Sequence, residues 1–443
     1  MSLEPPVATV GKLQEALRAK AKSAPTYRFY LLYDKLYRRD VLAEAYARCR
    51  ANHGKPGVDG QTFADIEKDC GLAGWLAELS EDLRKKTYQP KPVRRVWIPK
   101  PDGKQRPLGV PTIRDRVVQM AAVLVLGPIF ETDLEPEQYA YRPGQSALDA
   151  VRAVHSLVNR GYTEVVDADL SGYFDSIPHH ELLTSVARRV SDRHMLALIK
   201  SWLEMPVEET DERGVVTRTT RNRDEGKGSP QGAPLSPLLA NLYMRRFVKG
   251  WKTLGHEQRL DAKLVNYADD FVICCRGTGE QALAAMRSMM AKLKLTVNET
   301  KTRLCRLPEE KFVFLGYTIG RCYSPKTGRA YLGTTPAAKK VKKLIDEISR
   351  RTERKTTWRE PDELVGQLNC QIRGWANYFC LGPVSKAYDR VSRHVRQRLR
   401  RWLCRKYREE GSGGDRFLDK QLHEELGLID LRAVRHGYLC ANA

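Results

Sequence analysis

Two adjacent carboxylates, Asp269 and Asp270, stand in the segment Tyr267-Ala268-Asp269-Asp270, between two strand-like stretches. Leu264-Val265 precedes them and the apolar run Phe271–Cys275 follows, which predicts a β-hairpin with the acidic pair at or near its tip. Favoured two-residue hairpin turns use Asn-Gly or Asp-Gly, so an Asp-Asp pair is unusual there. Neighbouring carboxylates repel and raise each other's pKa unless a cation neutralises them. The segment is therefore either a solvated acidic turn or half of a site for Mg²⁺, which prefers oxygen ligands.

A second acidic stretch favours the cation site. Val165–Leu170 has the pattern of a strand in which Asp167 and Asp169 face the same side. Nucleotidyl transfer uses two metal ions roughly 4 Å apart, and carboxylates from two neighbouring strands can hold both. Asp169, Asp269 and Asp270 are therefore the candidate catalytic triad, with Asp167 and Asp175 in supporting roles. Taken by itself, the Asp167-x-Asp169 pair would be a solvated strand end.

The composition points to a large globular protein with a polyanionic partner. The chain has 443 residues and a formal charge of +22, with 42% hydrophobic and 29% charged residues. This size predicts two or three domains, and so large a basic surplus is typical of nucleic-acid binding, with an anionic membrane surface as the weaker alternative. The longest apolar stretch, Val117–Phe130, contains Gln119 and Pro128 and is too short to span a bilayer. The N-terminus does not resemble a signal peptide.

The ten cysteines are scattered, without a Cys-x-x-Cys pair, and the nine histidines are equally dispersed. This distribution predicts reduced thiols and a cytoplasmic protein, and it argues against a zinc ribbon.

The elements that must position the carboxylates alternate between strands and helices. Leu13, Leu17 and Ala21 recur at helical spacing, and a second helix is predicted from about Asp34 to Arg50. Strand and helix signals alternate from there to about Gly320, which predicts an α+β body. Strands are expected to cease beyond Gly333, where a helical region includes one long basic helix from about Val384 to Tyr407.

Tyr-Ala-Asp-Asp in a hairpin, downstream of Asp169-Leu-x-x-Tyr-Phe-Asp175, resembles the active-site pair of reverse transcriptases. More closely, the chain resembles the reverse transcriptase–maturases encoded by bacterial group II introns, in colinear segments from about residue 10 to at least 380. The further matching segments are Arg28–Lys35, Gly57–Gly60, Ile98–Gly109, Pro230–Pro237, Phe314–Tyr317 and Arg373–Phe379.

This resemblance implies a right-hand polymerase fold, α+β in its fingers and palm with an antiparallel sheet, followed by an all-α thumb/maturase domain. The implied domains are a basic helical extension (1–50), fingers and palm (51–330), a helical thumb/maturase domain (331–410) and a helical tail (411–443). Many members of the family carry a C-terminal Cys/His endonuclease, and no such cluster is found here. Mobility would then depend on primers other than a self-made nick, such as nascent strands at replication forks.

The resemblance also implies a role for residues around the triad. Two Mg²⁺ ions would be held at Asp169, Leu170, Asp269 and Asp270. Basic side chains on the hairpin around Pro101–Lys104 suit a triphosphate, and the family places the nucleotide's phosphates there. The implied nucleotide-binding residues are Lys100 and Arg106 at the phosphates, Gln231 at the sugar and minor groove, Phe174 against a 2′-hydroxyl, and Lys301 as a proton donor to pyrophosphate. Solvated Lys301 is nearly as good an interpretation.

The basic helix predicts an RNA-binding surface. Apolar residues recur at every fourth position, so one stripe should face inward while the rest is cationic. Arginine-rich helices suit the phosphates of A-form duplexes. The candidate RNA-binding residues are Arg390, Arg393, Arg396, Arg400, Arg401 and Arg405.

The leading hypothesis is an RNA-directed DNA polymerase that also binds group II intron RNA and assists splicing and mobility. Its partners would be intron RNA, an RNA template with a DNA or RNA primer, deoxynucleoside triphosphates and a DNA target, without a membrane. Two alternatives stay open: a maturase that acts mainly as an RNA-binding splicing cofactor, and a domesticated enzyme used in DNA repair or phage defence.

Overall fold

The structure is a computed structural model that describes residues 6–69, 71–99, 103, 105–211, 213–324, 326–411 and 413–431. Its longer helices are α1 (Pro6–Ser23), α3 (Arg39–Ala51), α5 (Gly71–Lys85), α6 (Ile113–Glu131), α7 (Ala147–Asn159), α9 (His179–Ala187), α10 (Arg193–Leu203), α12 (Ser236–Thr253), α14 (Gly279–Lys292), α15 (Ala338–Arg351), α16 (Pro361–Tyr378) and α17 (Ser385–Tyr407). Shorter helices are α2 (Tyr33–Leu36), α4 (Phe63–Asp69), α8 (Tyr173–Ser176), α11 (Arg221–Asp224) and α13 (His256–Arg259), with a 3₁₀ turn at Arg354–Thr356 and a π-helical turn at Gln421–Glu425.

Within the described residues, the strands form three sheets. They are β1 (Val93–Pro99), β2 (Gln105–Val110), β3 (Glu164–Asp169), β4 (Val207–Thr210), β5 (Val216–Thr219), β6 (Ala262–Tyr267), β7 (Asp270–Cys275), β8 (Arg303–Arg306), β9 (Phe312–Phe314), β10 (Tyr317–Tyr323) and β11 (Ala330–Pro336). The strand orders are β2-β1-β4-β5, β6-β7-β3-β8 and β11-β10-β9. β1 and β2 pair antiparallel, with Ile98 opposite Arg106. The α+β fold class is confirmed.

The chain divides into two compact units, neither of which is one continuous stretch. The first contains the described residues up to Ser146, together with Ala168–Ile273 and Glu280–Arg303. The second contains Ala147–Asp167, Cys274–Gly279 and the described residues from Leu304 onward. The domain borders expected at residues 50, 330 and 410 stay predictions.

The core of the first unit is built around α6. Its sequence is apolar on every side, which is the pattern of a helix surrounded by protein, and most of its residues are buried. Thr112 caps its N-terminus by accepting a hydrogen bond from the Asp115 amide, and the Asp115 carboxylate accepts one from the Thr112 hydroxyl at 2.7 Å. Helices α1 and α3 pack against it. Within the described ranges, none of the helices combines the length and apolarity needed to cross a membrane.

The second unit contains a three-helix core of α15, α16 and α17. Leu344, Leu368 and Leu399 meet there, with the Trp402 ring completely buried among them. Helix α17 begins and ends within one residue of the predicted bounds. Its buried residues recur at helical spacing, as the sequence predicts, because apolar side chains on one stripe of a helix can be removed from water together.

Two sequence-based expectations need correction. The helix expected over residues 34–50 is two helices, α2 and α3, because Arg38 adopts an extended conformation between them. The last strand, β11, continues three residues past Gly333, pairing with β10 as far as Pro336. The eight cysteines that the structure describes are free thiols, as expected.

Asp192 fastens the N-terminal helices of the first unit to α10. Its carboxylate accepts hydrogen bonds from the amides of Leu32 (2.9 Å) and Tyr33 (2.8 Å) and from those of His194 (3.0 Å) and Met195 (3.2 Å). Burial pushes the pKa of Asp192 upward, but these four backbone donors outweigh it, so the pKa lies below its ordinary value.

We predict that Asp192→Ala lowers the free energy of unfolding by roughly 2–4 kcal/mol, because it removes a helix cap and leaves buried amides without an acceptor. Urea unfolding would measure the loss, with Asp346→Ala, an exposed aspartate of α15, as the near-neutral control. Since the folded-state pKa is lowered, the contribution should be complete above the unfolded value of about 3.9 and disappear as the pH falls below it. Equal stability of the two variants at pH 7 would contradict this role.

Candidate active site

The acidic pair lies at the tip of a β-hairpin, as predicted. Strand β6 ends at Tyr267 and β7 begins at Asp270, so Ala268 and Asp269 form the turn. Ala268 is buried and has a φ of +58°, a conformation that side chains other than glycine adopt at a cost. The buried Asn266 side chain donates a hydrogen bond to the Ala268 carbonyl at 2.8 Å. The turn is thus held in one conformation, with Asp269 partly buried and Asp270 exposed.

Asn266 was not identified from the sequence, although a polar residue within an apolar strand is a usable signal. The backbone amide of Asn266 donates to the Glu137 carbonyl at 2.8 Å, and the backbone carbonyl of Asn266 accepts from the Tyr139 amide at 3.0 Å. The hairpin is therefore anchored to the segment that follows α6.

Asp169 is the last residue of β3, and a second segment fixes its carboxylate. The Asn298 side chain donates to Asp169 Oδ2 at 3.0 Å and the Lys301 ammonium to the same oxygen at 2.9 Å. The backbone is fixed as well, since the Asn298 amide donates to the Asp169 carbonyl at 2.8 Å. The expected residue Lys301 thus contacts a member of the triad, and Asn298, three residues before it, is a contact that the sequence analysis missed.

The structure brings Asp169 and Asp269 into electrostatic contact. Burial raises the pKa of the Asp269 carboxyl above its ordinary value. A hydrogen bond from its own amide opposes this, the Asp169 charge raises the pKa further, and Arg106 and Lys301 lower it. The Asp169 and Asp269 carboxylates therefore repel each other, and the positive charges of Arg106 and Lys301 partly offset this repulsion at Asp269.

This donor set fits a divalent cation. Magnesium is bound by protein sites that supply one or two carboxylates and leave its remaining positions to water and substrate phosphates. In the described part of the chain, no group of three or more Asp, Glu, His or Cys side chains is arranged to hold a metal by itself. Leu170 is buried and has no side-chain ligand, so only its backbone carbonyl could contribute.

Backbone hydrogen bonds connect the loop that carries Gln231 to the β1–β2 hairpin on one side and to the segment after Asp169 on the other. The Gly109 amide of β2 donates to the Gln231 carbonyl at 2.7 Å. On the other side of the loop, the Ser229 amide donates to the Phe174 carbonyl at 2.7 Å and the Gly228 amide to the Ile177 carbonyl at 2.8 Å. Two of the expected nucleotide-binding residues, Phe174 and Gln231, are therefore linked by the loop backbone.

Glycine is required where this loop meets β2. Gly232 has a φ of +112°, and a Cβ there would lie 2.7 Å from the Gly109 carbonyl oxygen. This is closer than real Cβ contacts, and the obstructing atom is backbone. The approach fixes β2, which carries the exposed Arg106, against the Pro230-Gln231-Gly232 loop.

The remaining expected residues have mixed outcomes. The Phe174 ring is partly buried and meets the buried Tyr173 ring edge-on, at 5.7 Å between centroids. Lys100 lies outside the described residues.

Tyr141 was not expected from the sequence. It is half exposed and has a φ of +56°. Burial raises the pKa of its hydroxyl, the Asp269 charge raises it further, and Arg106 lowers it. No local sequence signal identifies it, because it becomes a neighbour of Asp269 only in the folded chain.

Comparison with known proteins accounts for this arrangement. The family described as reverse transcriptase (RNA-dependent DNA polymerase) matches residues 98–319. Protein YkfC of Escherichia coli (strain K12) is 32% identical over 367 residues, covering 74% of this chain and 93% of its own length. This chain belongs to the reverse transcriptase family. The resemblance inferred from its motifs is thereby confirmed.

The reverse transcriptase domain is followed by a second recognisable region. The family described as group II intron, maturase-specific domain matches residues 341–420. The group II intron-encoded protein LtrA of Lactococcus lactis subsp. cremoris is 26% identical over 438 residues, covering 80% of this chain and 71% of LtrA. The chain thus joins a reverse transcriptase domain to a maturase domain and is homologous to this intron-encoded protein. A solved partial Cas6-RT-Cas1–Cas2 complex aligns over 59% of this chain and 41% of the solved chain, at 24% identity and a TM-score of 0.35.

The maturase region contains the arginine-rich helix, and the structure sorts its arginines into two groups. Arg396 and Arg400 are partly buried and pair with Asp419 at 3.3 and 2.5 Å. Arg400 also donates to the Phe417 carbonyl at 2.7 Å. The expectation that these two face RNA stays untested, but their charges already have protein partners.

The other four expected RNA-binding residues are exposed: Arg390, Arg393, Arg401 and Arg405. None of them forms an ion pair with a residue that the structure describes. An arginine without a carboxylate partner keeps its full charge and its donors for an external anion. These four are therefore the better candidates for phosphate contacts.

We predict that Gly232→Ala destabilises the first unit by roughly 1–3 kcal/mol, because strain at positive φ adds to a collision with the Gly109 carbonyl. Gly214→Ala is the matched control, since Gly214 has a φ of +80° with nothing within 4 Å of the added Cβ. Urea unfolding of both variants would separate the collision from the strain. An equal loss in both would show that the close approach adds nothing.

Proposed function

We propose that this protein is an RNA-directed DNA polymerase, that it copies RNA into DNA at Asp169, Asp269 and Asp270, and that it also binds group II intron RNA. The observation that carries the proposal is the position of Asp169 at the end of β3 and of Asp269 at the β6–β7 turn, since β3 and β7 are neighbours in one sheet, with Lys301 bonded to Asp169 and Arg106 acting on Asp269. An RNA-folding protein without polymerase activity would have no need of this arrangement.

We assign Asp169, Asp269 and Asp270, with the Leu170 carbonyl, to two Mg²⁺ ions. When bound, these ions activate the primer 3′-hydroxyl and neutralise charge on the leaving pyrophosphate. Asp269 is the more direct ligand, since it is partly buried beside Asp169 while Asp270 is exposed. Asn298 orients the Asp169 carboxylate by its hydrogen bond to Oδ2.

The residues around the carboxylates receive roles in nucleotide binding. Arg106 and Lys100 hold the triphosphate, because guanidinium and ammonium groups form charge-assisted hydrogen bonds with phosphate oxygens. Lys301 donates a proton or a hydrogen bond to pyrophosphate as it leaves. Gln231 contacts the sugar and the minor groove of the new base pair, and Phe174 excludes a 2′-hydroxyl, so that deoxynucleotides are preferred.

The second activity concerns intron RNA. The maturase domain and the exposed arginines of α17 support binding to a structured RNA, and the intron that encodes such a protein is the natural partner. We further propose that this binding assists splicing and mobility at a DNA target, and that the protein acts in the bacterial cytoplasm.

We predict that Asp269→Asn reduces primer extension on an RNA template by roughly 10²–10³-fold or more, because the amide keeps the shape but removes the ligand charge. The assay supplies deoxynucleotides and Mg²⁺, and removal of Mg²⁺ by a chelator should abolish extension by the wild type. Asp149→Asn, which removes the same charge from the surface of α7, is the control and should extend normally. Absence of extension by the wild type, or full activity of Asp269→Asn, would refute the polymerase.

We predict that Arg401→Gln/Arg405→Gln weakens RNA binding and lowers the slope of log K against log salt by roughly 1–2, because two phosphate contacts are lost. Arg396→Gln/Arg400→Gln is the matched pair of substitutions on the same helix. It should change the slope less and lower the melting temperature more, since these arginines already bind Asp419. The reverse ranking of the two slopes would contradict the assignment.

A further inference from the structure

Trp358 is the most exposed large apolar side chain among the described residues, with 73% of its surface open to solvent. It lies in the second unit, in the short connection between α15 and α16. The Arg359 guanidinium stacks over its ring at 5.3 Å from the centroid. A tryptophan that only served the core would be buried, as Trp402 is, because burying an indole is strongly favourable.

The segment that carries Trp358 is fixed rigidly to α17. The Lys406 ammonium donates to the Arg359 carbonyl at 2.8 Å, and the buried Trp402 indole donates to the Thr356 hydroxyl at 3.0 Å. Within the segment, the Arg359 amide donates to the Thr356 carbonyl at 3.2 Å. The exposed ring is therefore presented by an ordered backbone, so a ligand that stacks on it needs to order little of the protein.

Cationic side chains lie in the same connection as Trp358 and on α17, the helix to which this connection is bonded. Arg354 is exposed and forms no ion pair with any described residue, which is also true of Arg401 and Arg405. Arg398 connects the two elements, because its guanidinium donates to the Thr352 hydroxyl at 2.8 Å and to the Thr352 carbonyl at 2.9 Å. Burial lowers the pKa of Arg398, and the charges of Arg405 and Arg401 lower it further. The basic face of α17 thus continues to the segment of Trp358.

We propose that Trp358 is a stacking site for one unpaired RNA base, held next to a duplex whose phosphates are bound by Arg354, Arg401 and Arg405. An aromatic face beside uncompensated guanidinium groups fits this ligand, because unpaired bases stack on aromatic rings while cations bind the flanking phosphates. The site deepens the proposed RNA binding of the maturase domain and rests on it. The feature that the domain would recognise is an RNA helix interrupted by an unpaired nucleotide.

The test uses the full-length protein and two RNA hairpins. One hairpin carries a single unpaired 2-aminopurine nucleotide in its stem, and the other lacks only that nucleotide. Binding is measured without deoxynucleotides for the wild type, Trp358→Ala, Trp358→Phe and the control Tyr323→Ala, which removes another exposed aromatic ring of the second unit. Melting temperatures check that all variants are folded.

We expect Trp358→Ala to bind the interrupted hairpin about tenfold more weakly, which is ~1.4 kcal/mol, and the fully paired hairpin as the wild type does. The wild type should quench 2-aminopurine fluorescence by stacking, Trp358→Phe should retain most of both effects, and Tyr323→Ala should match the wild type.

Three results would overturn the site: equal wild-type affinity for the two hairpins, an equal loss on both in Trp358→Ala, or the same loss with hairpins made of DNA. Binding to the hairpins is measured without nucleotide addition. Inactivity of the wild type in primer extension would therefore refute the polymerase, whereas the difference in affinity between the two hairpins would still test the stacking site.

Discussion

The candidate site of the first unit is built around two carboxylates that act on each other, one of which is partly buried. Asp169 and Asp269 come from segments one hundred residues apart in the chain, and burial raises the pKa of the Asp269 carboxyl while the Asp169 charge raises it further. Hydrogen bonds to backbone carbonyls maintain this placement: the Asn266 side chain donates to the turn, and the Asn298 backbone amide donates to the end of β3. These hydrogen bonds keep the two carboxylates where a divalent cation can neutralise them. Repulsion between the two carboxylates is expected at a cation-binding site, and it lowers the stability of the fold while no cation is bound.

The second organising feature is the close backbone approach at Gly109 and Gly232. It couples a strand that carries Arg106 to a loop that carries Gln231, and the same loop is bonded to the segment of Phe174. Groups proposed to contact the phosphate, sugar and minor-groove edges of one nucleotide are therefore linked by backbone hydrogen bonds and not by flexible side chains. This arrangement reduces the conformational entropy that substrate binding must overcome.

In the second unit, one helix serves two purposes. The apolar stripe of α17 closes a three-helix core, and its arginines divide between internal bonds and solvent. Arg396 and Arg400 fasten the segment around Asp419, whereas Arg398 and Lys406 fasten the connection that presents Trp358. A long cationic side chain can bury its stem and still use its head in a hydrogen bond, so high arginine content supports both packing and nucleic-acid binding.

Much of the local structure could be predicted from the sequence. The hairpin at Asp269, a strand over residues 165–170, the long helix near residues 384–407 and the family all followed from period, turn residues and motif spacing, because these signals lie in short segments of the chain. It did not determine that residues 34–50 form two helices, since the extended Arg38 between them breaks no composition rule. The folded chain was needed to show that Asn298 and Tyr141 lie near the carboxylates, that Arg396 and Arg400 pair with Asp419, and that Trp358 is exposed. These are contacts or burial between segments distant in the chain, and a residue's type and near neighbours do not specify which distant group it meets.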